Sequence, residues 1–229
     1  MLPEIASYLT SAQLEFEILI VDDGSTDDTA DVAREFSNSA PVKLLVHRSN
    51  EGLGKALLTG LRAAAESCEE TDVILTLDAD GSHIPAYFTP LVERLSDGYD
   101  VAVASRWARS ASVLGVPAFR MALSKAACVL MSFLFPVEGL RDYTCGFRAY
   151  RAEIILRGLQ EYGERLIEHR DFSCGTELLL KLVAVGARVA EIPFELRYDR
   201  KIGKSKLKIL RALYGYYCLI LSMWRGHPR

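Results

Sequence analysis

The sequence has few cysteines, and they are too widely spaced to form a zinc site. It contains no CxxC pair and no Cys/His cluster, and the number of cysteines is odd. We therefore expect a reduced, cytosolic protein without a structural metal. The five cysteines are Cys68, Cys128, Cys145, Cys174 and Cys218.

The chain also lacks an excess of basic residues. It has 27 lysines and arginines against 30 aspartates and glutamates, which gives a formal net charge of -3 and a pI of about 5.9. Proteins that bind nucleic acid usually carry a net basic field, so no nucleic-acid partner is expected. Any binding of anions must then come from a local group of basic side chains.

Long apolar segments are missing as well. The N-terminal residues include Glu4 and show no basic region before an apolar core, so no signal peptide is expected. The most apolar segments, residues 126–135 and 213–224, are shorter than the roughly 20 residues of a membrane-spanning helix. Helices over these segments could pack on a sheet or lie on a membrane surface, and residues 205–229 are a candidate membrane-interface helix.

The pattern that remains is an alternation of short apolar runs with segments of helical period. With 50% hydrophobic and 25% charged residues, the 229-residue chain is predicted to form a single α/β domain. The alternation predicts a mostly parallel, Rossmann-like sheet with helices on both faces and ligands at the carboxyl ends of the strands. Predicted strands are 16–22, 42–47, 72–78, 100–105 and 189–196. Predicted helices are 27–37, 54–68, 85–96, 118–135, 151–160, 174–186 and 205–224. Mobile loops are predicted at 106–117 and 197–206.

An acid pair follows the third predicted strand, in "VILTLDADGSH" (73–83). Residues i and i+2 of an extended chain point the same way, so Asp78 and Asp80 would repel unless a cation lies between them. Oxygen ligands favour Mg or Mn, which usually bridge to a substrate phosphate. The alternative is that these acids cap the next helix, whose first turn contains Pro85.

The "DADGS" motif also comes close to the D-x-D-G-T strand end of the haloacid-dehalogenase-like phosphatases. Those enzymes use the first aspartate as a nucleophile, and they need a further acidic motif downstream. No such motif follows Asp80, which disfavours the phosphatase hypothesis.

Several segments in sequence together resemble the family 2 glycosyltransferases of GT-A fold, and within them the dolichol-phosphate mannosyltransferase and polyprenyl-phosphate glycosyltransferase group. Each motif is weak alone, but their order and spacing agree. The segments are "VDDGSTDDT" (21–29), "NEGLGKALLTGLRAA" (50–64), "LDADGSHIP" (77–85), "ASR" (104–106), "RMALS" (120–124), "DYTCGFRAYR" (142–151) and "DRKIGKSKL" (199–207).

The resemblance implies an inverting transferase that moves a sugar, mannose or glucose, from a nucleotide-diphosphate sugar to a dolichyl or polyprenyl phosphate, with Mg or Mn as cofactor. The protein would act peripherally on the cytoplasmic face of a membrane, with a small membrane subunit as a further partner. By the same resemblance, the metal residues are Asp78, Asp80 and Ser82, and the nucleotide-binding residues are Asp22, Asp23, Gly24, Lys55 and Asp78.

The acceptor phosphate needs positioning more than deprotonation, because its second pKa near 6 leaves much of it dianionic at neutral pH. Basic and hydroxyl side chains are the groups suited to hold it beside a second anion. At the positions that correspond to the family's motifs, the resemblance implies the catalytic residues Asp80, Arg106, Asp142, Arg200 and Lys206. It likewise implies the acceptor-phosphate residues Arg120, Ser124, Arg148 and Ser205. Glu177 corresponds to an acidic position of the family and could contact the sugar or orient an arginine, and His83 is predicted to be a turn residue.

The chain departs from the family at its start, where members carry a further strand with a nucleotide-binding segment. Residues 2–9 resemble the helix that follows this strand, so the first strand has no counterpart here. A truncated sequence or a less active homologue would explain this. The alternatives are a family 2 transferase that joins a UDP-sugar to a glycan, and an inactive paralogue that acts as a binding protein.

Overall fold

The computed structural model describes residues 1–201 and 209–226. Up to the fourth strand, helices and strands alternate along the chain. They are α1 (Leu2–Ser11), β1 (Ile18–Asp22), α2 (Thr29–Phe36), β2 (Val42–Val46), α3 (Leu53–Ser67), β3 (Val73–Thr76), α4 (Phe88–Ser96) and β4 (Val101–Ser105). The remaining elements are β5 (Ser112–Leu114), α5 (Ala118–Leu134), β6 (Arg148–Arg151), α6 (Ala152–Tyr162), α7 (Cys174–Ala184), β7 (Val189–Pro193), β8 (Glu195–Arg197) and α8 (Ile209–Gly226). Short 3₁₀ turns cover Pro85–Tyr87, Gly163–Leu166 and Tyr198–Arg200.

The strands form one four-stranded sheet and two two-stranded sheets. In the larger sheet the order is β3-β6-β4-β7, with β4 parallel to β7 and β6 antiparallel to both of its neighbours. The pairs β1-β2 and β5-β8 are parallel. The predicted α/β class with mostly parallel pairing is therefore confirmed, and β6 makes the central sheet mixed.

Two strands were not predicted from the sequence. Strand β6 carries an arginine at each end, so its letters lack the apolar run of a central strand, although its first three residues are buried. Strand β5 lies within the predicted mobile loop 106–117, and its three residues pair with β8. The irregular-loop prediction was wrong for residues 112–114, because a pairing partner more than 80 residues away, Glu195–Arg197, orders them.

The core is built around β4, all five residues of which are buried. This strand lies between β6 and β7, and α4 packs on it through Leu91 and Leu95. Burying a leucine side chain fully contributes roughly 1.5–3 kcal/mol, so such contacts fix the strand firmly. Its carboxyl end leads directly into Arg106, and the end of β3 leads into Asp78. The buried strand β4 thus positions Arg106, and the end of β3 positions Asp78.

None of the helices that the structure describes is both long enough and apolar enough to span a bilayer.

Candidate active site

The turn that follows β3 orders the predicted metal-binding acids. Asp80 Oδ1 accepts hydrogen bonds from the Ser82 amide (3.0 Å) and the Ser82 hydroxyl (2.5 Å), and Gly81 adopts a positive φ of 80°. Burial raises the pKa of Asp80, but hydrogen bonds from Lys201 and Ser82 outweigh it and leave the pKa below its ordinary value. Asp80 is therefore an ionised carboxylate at neutral pH. The side chain of Asp78 is more open, at 56% exposed.

His83 holds the backbone of this turn from behind. Its ring is buried and stacks on Phe147, with centroids 4.8 Å apart and planes inclined by 13°. His83 Nδ1 accepts a hydrogen bond from the Asp78 amide at 3.0 Å, so the ring proton is on Nε2. Burial lowers the pKa of His83, which keeps the ring neutral. The geometry agrees with the prediction of a turn residue.

Lys201 places a cation on the acid pair. Its ammonium group bonds Asp80 Oδ2, and the side chains of Lys201 and Asp80 are only 20% and 18% exposed. The preceding segment crosses the same turn, since the Arg197 amide donates to the Ser82 carbonyl at 3.3 Å. Arg200 pairs with Glu4 of α1 at 3.4 Å.

These residues fit a hard divalent cation. Asp78 and Asp80 offer carboxylate oxygens, and an ammonium group already lies where such a cation would bind Asp80. The described part of the chain brings together no group of three or more histidine, cysteine or acidic ligands. Mg or Mn bound here would therefore complete its coordination with water and substrate phosphate, as these ions usually do.

A second polar loop lies at the end of β1, where the predicted nucleotide-binding acids occur. Asp22 is buried and accepts a hydrogen bond from the Ser25 amide at 3.0 Å. Gly24 has a φ of 68°, and a β-carbon there would come within 2.5 Å of the Ser49 carbonyl carbon, so only glycine fits this turn. The close approach brings the loop against residues 49–50.

The Asp23 carboxylate joins this loop to the start of α3. Its oxygens accept hydrogen bonds from the amides of Glu51 (2.9 Å) and Gly52 (2.8 Å), and Oδ1 also contacts His47 Nδ1 at 2.7 Å. Burial raises the pKa of Asp23, but these hydrogen bonds outweigh burial and leave the pKa below its ordinary value. The carboxyl group is therefore ionised at neutral pH. His47 Nε2 in turn contacts the Thr59 hydroxyl at 3.0 Å. Asp23 is thus engaged within the protein, and its contact with nucleotide stays a prediction.

A buried ion pair organises the cationic side of the site. Asp142 is fully buried, and its carboxylate receives the Arg106 amide (3.0 Å), Nε (2.8 Å) and Nη2 (2.7 Å). Burial raises the pKa of Asp142, but the charge and hydrogen bonds of Arg106 outweigh it and hold the pKa below its ordinary value. Arg106 is also buried to a large extent, and Asp142 raises its pKa. The guanidinium is therefore fixed in orientation and always charged.

Helix α5 adds further polar groups around this pair. Arg106 Nη2 donates to the Thr144 hydroxyl (2.5 Å), which contacts the Ser124 hydroxyl at 3.1 Å. Arg120 Nη1 donates to the Tyr198 hydroxyl at 3.2 Å, and among the residues that the structure describes the buried Arg120 Nε has no hydrogen-bond partner. Arg120 and Ser124 share one face of α5, as their i, i+4 spacing predicts, and their hydrogen bonds lead to Tyr198 and Thr144 respectively.

The indole ring of Trp107 lies close to two of the cations. The Arg106 guanidinium carbon is 5.7 Å from the ring centroid, and the Lys125 ammonium is 5.3 Å from it. Cation-π attraction stabilises both charges. The end of β4 and helix α5 thus supply the cations of Arg106, Arg120 and Lys125 and the hydroxyl of Ser124, which are side chains of the kind that binds anions.

The sequence matches a family model described as Glycosyl transferase family 2 over residues 3–157. The chain belongs to glycosyl transferase family 2. Among similar proteins, polyprenol monophosphomannose synthase of Mycolicibacterium smegmatis is 32% identical over 208 residues, covering 90% of this chain and 76% of that protein. Undecaprenyl-phosphate mannosyltransferase of Micrococcus luteus is 30% identical, covering 90% and 82%. Dolichol-phosphate mannosyltransferase of Pyrococcus furiosus is 31% identical, covering 93% of this chain but 57% of its own length.

Solved structures with the same fold include glucosyl-3-phosphoglycerate synthase of Mycobacterium tuberculosis in complex with phosphoglyceric acid. It has a TM-score of 0.60 at 20% identity, over 100% of this chain and 75% of that one. The same enzyme in complex with Mn2+, UDP-glucose and glycerol 3-phosphate gives a TM-score of 0.57 at 19% identity, over 99% and 77%. At this identity the likeness establishes the fold, and the GT-A-like prediction is confirmed.

Seven predicted site residues of this family 2 chain fall into two groups, the acidic centre (Asp78, Asp80 and Ser82) and the cationic centre (Arg106, Arg120, Ser124 and Asp142). Asp78, Asp80 and Ser82 share one turn, although the Ser82 hydroxyl supports Asp80 in this structure. Lys55, on α3, contacts Glu164 at 3.3 Å and is 41% exposed, so its nucleotide contact stays a prediction. Ser205 and Lys206 lie outside the described residues.

Two predicted residues are more deeply buried than expected. Arg148 is 1% exposed and donates to the carbonyl oxygens of Tyr143 and Gly175, which does not favour direct contact with an acceptor phosphate. It joins the 142–147 segment to α7 instead. Glu177 is equally buried, accepts the amides of Glu168 and His169, and pairs with Lys181 at 2.7 Å. Its position indicates a structural role.

The sequence did not reveal four polar residues of these centres. Trp107 and Tyr198 directly adjoin the quoted motifs 104–106 and 199–207, so widening each by one position would have found them, and Thr144 lies within the 142–151 motif but was not singled out. Lys201 lies in a basic run, whose usual interpretation is a solvated face. Its contact with Asp80 joins positions 121 residues apart, and no local pattern signals it.

Proposed function

We propose that this family 2 chain transfers a hexose from a nucleotide-diphosphate sugar to a polyprenyl phosphate, with Mg or Mn at Asp80. Its relatives named above include a polyprenol monophosphomannose synthase and an undecaprenyl-phosphate mannosyltransferase. Mannose is accordingly the sugar that we favour.

The observation that carries the proposal is the contact between the acidic and the cationic centre. Lys201 bonds Asp80, and its ammonium lies 5.3 Å from the centroid of the Tyr198 ring. The Tyr198 hydroxyl in turn accepts a hydrogen bond from Arg120. A sugar diphosphate bound at the acid pair would therefore lie next to side chains that can hold a second phosphate. Transfer between two phosphorylated substrates requires this proximity.

The reaction is a single displacement with inversion. An oxygen of the acceptor phosphate forms a bond to the anomeric carbon as the bond from that carbon to the nucleoside diphosphate breaks. A divalent cation, when bound at Asp80, supplies Lewis-acid stabilisation of the leaving diphosphate. The acceptor phosphate is already dianionic to a large extent at neutral pH, so no strong general base is needed.

The residues of the chain supply orientation and positive charge. Asp142 fixes the Arg106 guanidinium through two side-chain hydrogen bonds, so Arg106 can face a phosphate without rearranging. Within the described part of the chain Arg120 Nε has no acceptor, and the Ser124 and Thr144 hydroxyls can turn toward the anion. These groups hold the acceptor phosphate against its repulsion by the donor.

A transfer assay tests the proposal. The purified protein is incubated with radiolabelled GDP-mannose, UDP-glucose or UDP-GlcNAc, polyprenyl phosphate and Mg or Mn, and lipid is then extracted. We expect label in the lipid fraction, strongest with GDP-mannose and lost when EDTA is added. Absence of labelled lipid with every donor would contradict the function, and label in an added glycan would favour the alternative acceptor.

We further propose that α8 lies on the membrane surface that carries the acceptor. One side of this helix packs inward through Leu219 and Met223. The other side exposes large apolar residues at helical spacing, and such a surface favours an interfacial location. These residues are Leu210, Leu213, Tyr214, Tyr217 and Trp224.

Removing part of this exposed side should weaken binding to vesicles. For the Leu213→Ser/Tyr217→Ser variant we expect at least a tenfold loss in flotation with anionic liposomes, because each apolar side chain contributes about 1.5–3 kcal/mol when fully buried. Val32→Ser is the matched control, since Val32 is 58% exposed on α2. Equal binding of both variants would place the membrane contact elsewhere.

A further inference from the structure

Lys201 is held on the acid pair by more than one contact. Its ammonium bonds Asp80 Oδ2 and lies 5.3 Å from the centroid of the Tyr198 ring. The backbone of the same segment is attached to the turn through the hydrogen bond from the Arg197 amide to the Ser82 carbonyl. Both charged side chains are about four-fifths shielded from solvent. This pair differs from an exposed surface ion pair, which solvent and salt would weaken.

The remaining interactions of Asp80 leave little room for two cations. Oδ1 accepts both hydrogen bonds from Ser82, and Oδ2 carries the Lys201 ammonium. A divalent cation that binds Asp80 would need Oδ2, the oxygen that the Lys201 ammonium already contacts. Like charges at this distance repel strongly in a partly buried site, so one must leave.

We propose that Lys201 is an internal counter-cation that competes with the divalent metal for Asp80 and thereby sets the metal affinity of the site. The inference rests on the proposed use of a metal at Asp80. In the metal-free protein Lys201 neutralises the carboxylate and holds residues 197–201 on the turn. When a divalent cation binds, the ammonium moves off Oδ2, and the contacts of residues 197–201 with the turn loosen.

The exchange links the two centres of the site. Tyr198 lies in the segment that Lys201 anchors, and its hydroxyl contacts Arg120 of the cationic centre. Metal binding at Asp80 would therefore change the surroundings of Arg120, which the Tyr198 hydroxyl contacts. Binding of the metal at Asp80 and binding of the acceptor phosphate near Arg120 thereby become coupled through Lys201.

Metal binding to Lys201 variants tests the inference without measuring turnover. Mn2+ is titrated into the protein, alone and with GDP, and free Mn2+ is followed by electron paramagnetic resonance. We expect Lys201→Met to bind Mn2+ about three- to tenfold more tightly than the wild type, because removing one nearby positive charge relieves the competition. Lys201→Arg should stay near the wild-type affinity.

A second variant separates local competition from a general change of charge. Lys43→Met removes one positive charge from an exposed position on β2 and should leave Mn2+ affinity unchanged. Equal affinities of Lys201→Met and wild type would overturn the role of Lys201 while leaving the metal site in place. Absence of Mn2+ binding in both would overturn the metal itself, and with it the inference.

Amide hydrogen exchange of residues 197–201 provides an independent measurement. In the wild type we expect faster exchange when Mn2+ is present, since the segment loses its attachment to Asp80. In Lys201→Met the exchange should be fast with or without Mn2+. Unchanged protection in the wild type on addition of Mn2+ would contradict the release of the segment.

Discussion

Replacing Asp80 with asparagine is expected to lower kcat/KM for sugar transfer by roughly 100- to 1000-fold while leaving the fold intact. Asparagine keeps the shape of the side chain and can still accept the hydrogen bonds from Ser82. It lacks the charge that would hold a divalent cation, and loss of one such electrostatic contribution commonly has an effect of this size. The measurement is initial transfer rates at several donor concentrations, with circular dichroism to check the fold.

Asp78→Asn provides the comparison for this variant. Asp78 is 56% exposed, against 18% for Asp80, so its replacement should have the smaller effect. If Asp80→Asn retained wild-type kcat/KM, the assignment of the metal to this turn would be wrong. Excess Mn2+ should not restore Asp80→Asn, which distinguishes loss of a ligand from weakened binding.

Replacing Asp142 with alanine is expected to lower the free energy of unfolding by about 3–5 kcal/mol. The substitution leaves the Arg106 charge buried without its partner, and breaking a buried pair from one side has a large effect. It also leaves the amides of Thr144 and Cys145 without their acceptor. Urea denaturation with a spectroscopic readout measures the difference.

The double variant Arg106→Met/Asp142→Leu separates the loss of the pair from the burial of a lone charge. It should recover much of the stability, because apolar residues of similar size can replace a buried ion pair. It should nevertheless have very low transfer activity, since Arg106 is predicted to hold a phosphate. If the double variant were as unstable as Asp142→Ala, the unpaired Arg106 charge would not be the cause of the lower free energy of unfolding in Asp142→Ala.

The effect of Asp142 should also depend on pH. Its folded-state pKa is lowered, so its contribution to stability is fully present above the unfolded pKa of about 3.9 and is lost as the pH falls through the folded value. The stability difference between wild type and Asp142→Ala should therefore be constant near neutral pH and shrink in strong acid. A difference that grew below pH 4 would contradict the sign of this shift.

Much of the fold follows from local sequence, and so does the placement of the acids. Strand β4 and the end of β3 are apolar runs that stop at polar residues, and that is why Asp78, Asp80 and Arg106 could be placed at strand ends before the structure was known. Strand β6 was not predicted because its two arginines suggest an exposed segment, whereas in the fold both donate hydrogen bonds to backbone carbonyls of other segments. An arginine therefore indicates an exposed position only where the folded chain does not supply hydrogen-bond acceptors for its guanidinium.

The predicted cationic residues show a second point that the sequence alone could not decide. Arg106 and Arg148 are both arginines in motif positions, yet one lies beside the Thr144 and Ser124 hydroxyls and the other binds backbone carbonyls in the interior. The sequence contains nothing that separates the two cases. The difference arises in the folded chain, where the carbonyl oxygens of Tyr143 and Gly175 engage the Arg148 guanidinium.

The stacking of His83 on Phe147 has a consequence for the entropy of binding. With His83 holding the Asp78 amide and Ser82 holding Asp80, the backbone of the turn occupies one conformation before any ligand arrives. Ordering a residue on binding would oppose association by roughly 1–2 kcal/mol, and that term is largely absent for these positions. The stacked His83 ring thus favours binding of a cation at this turn by fixing the backbone, without being one of the cation's proposed ligands.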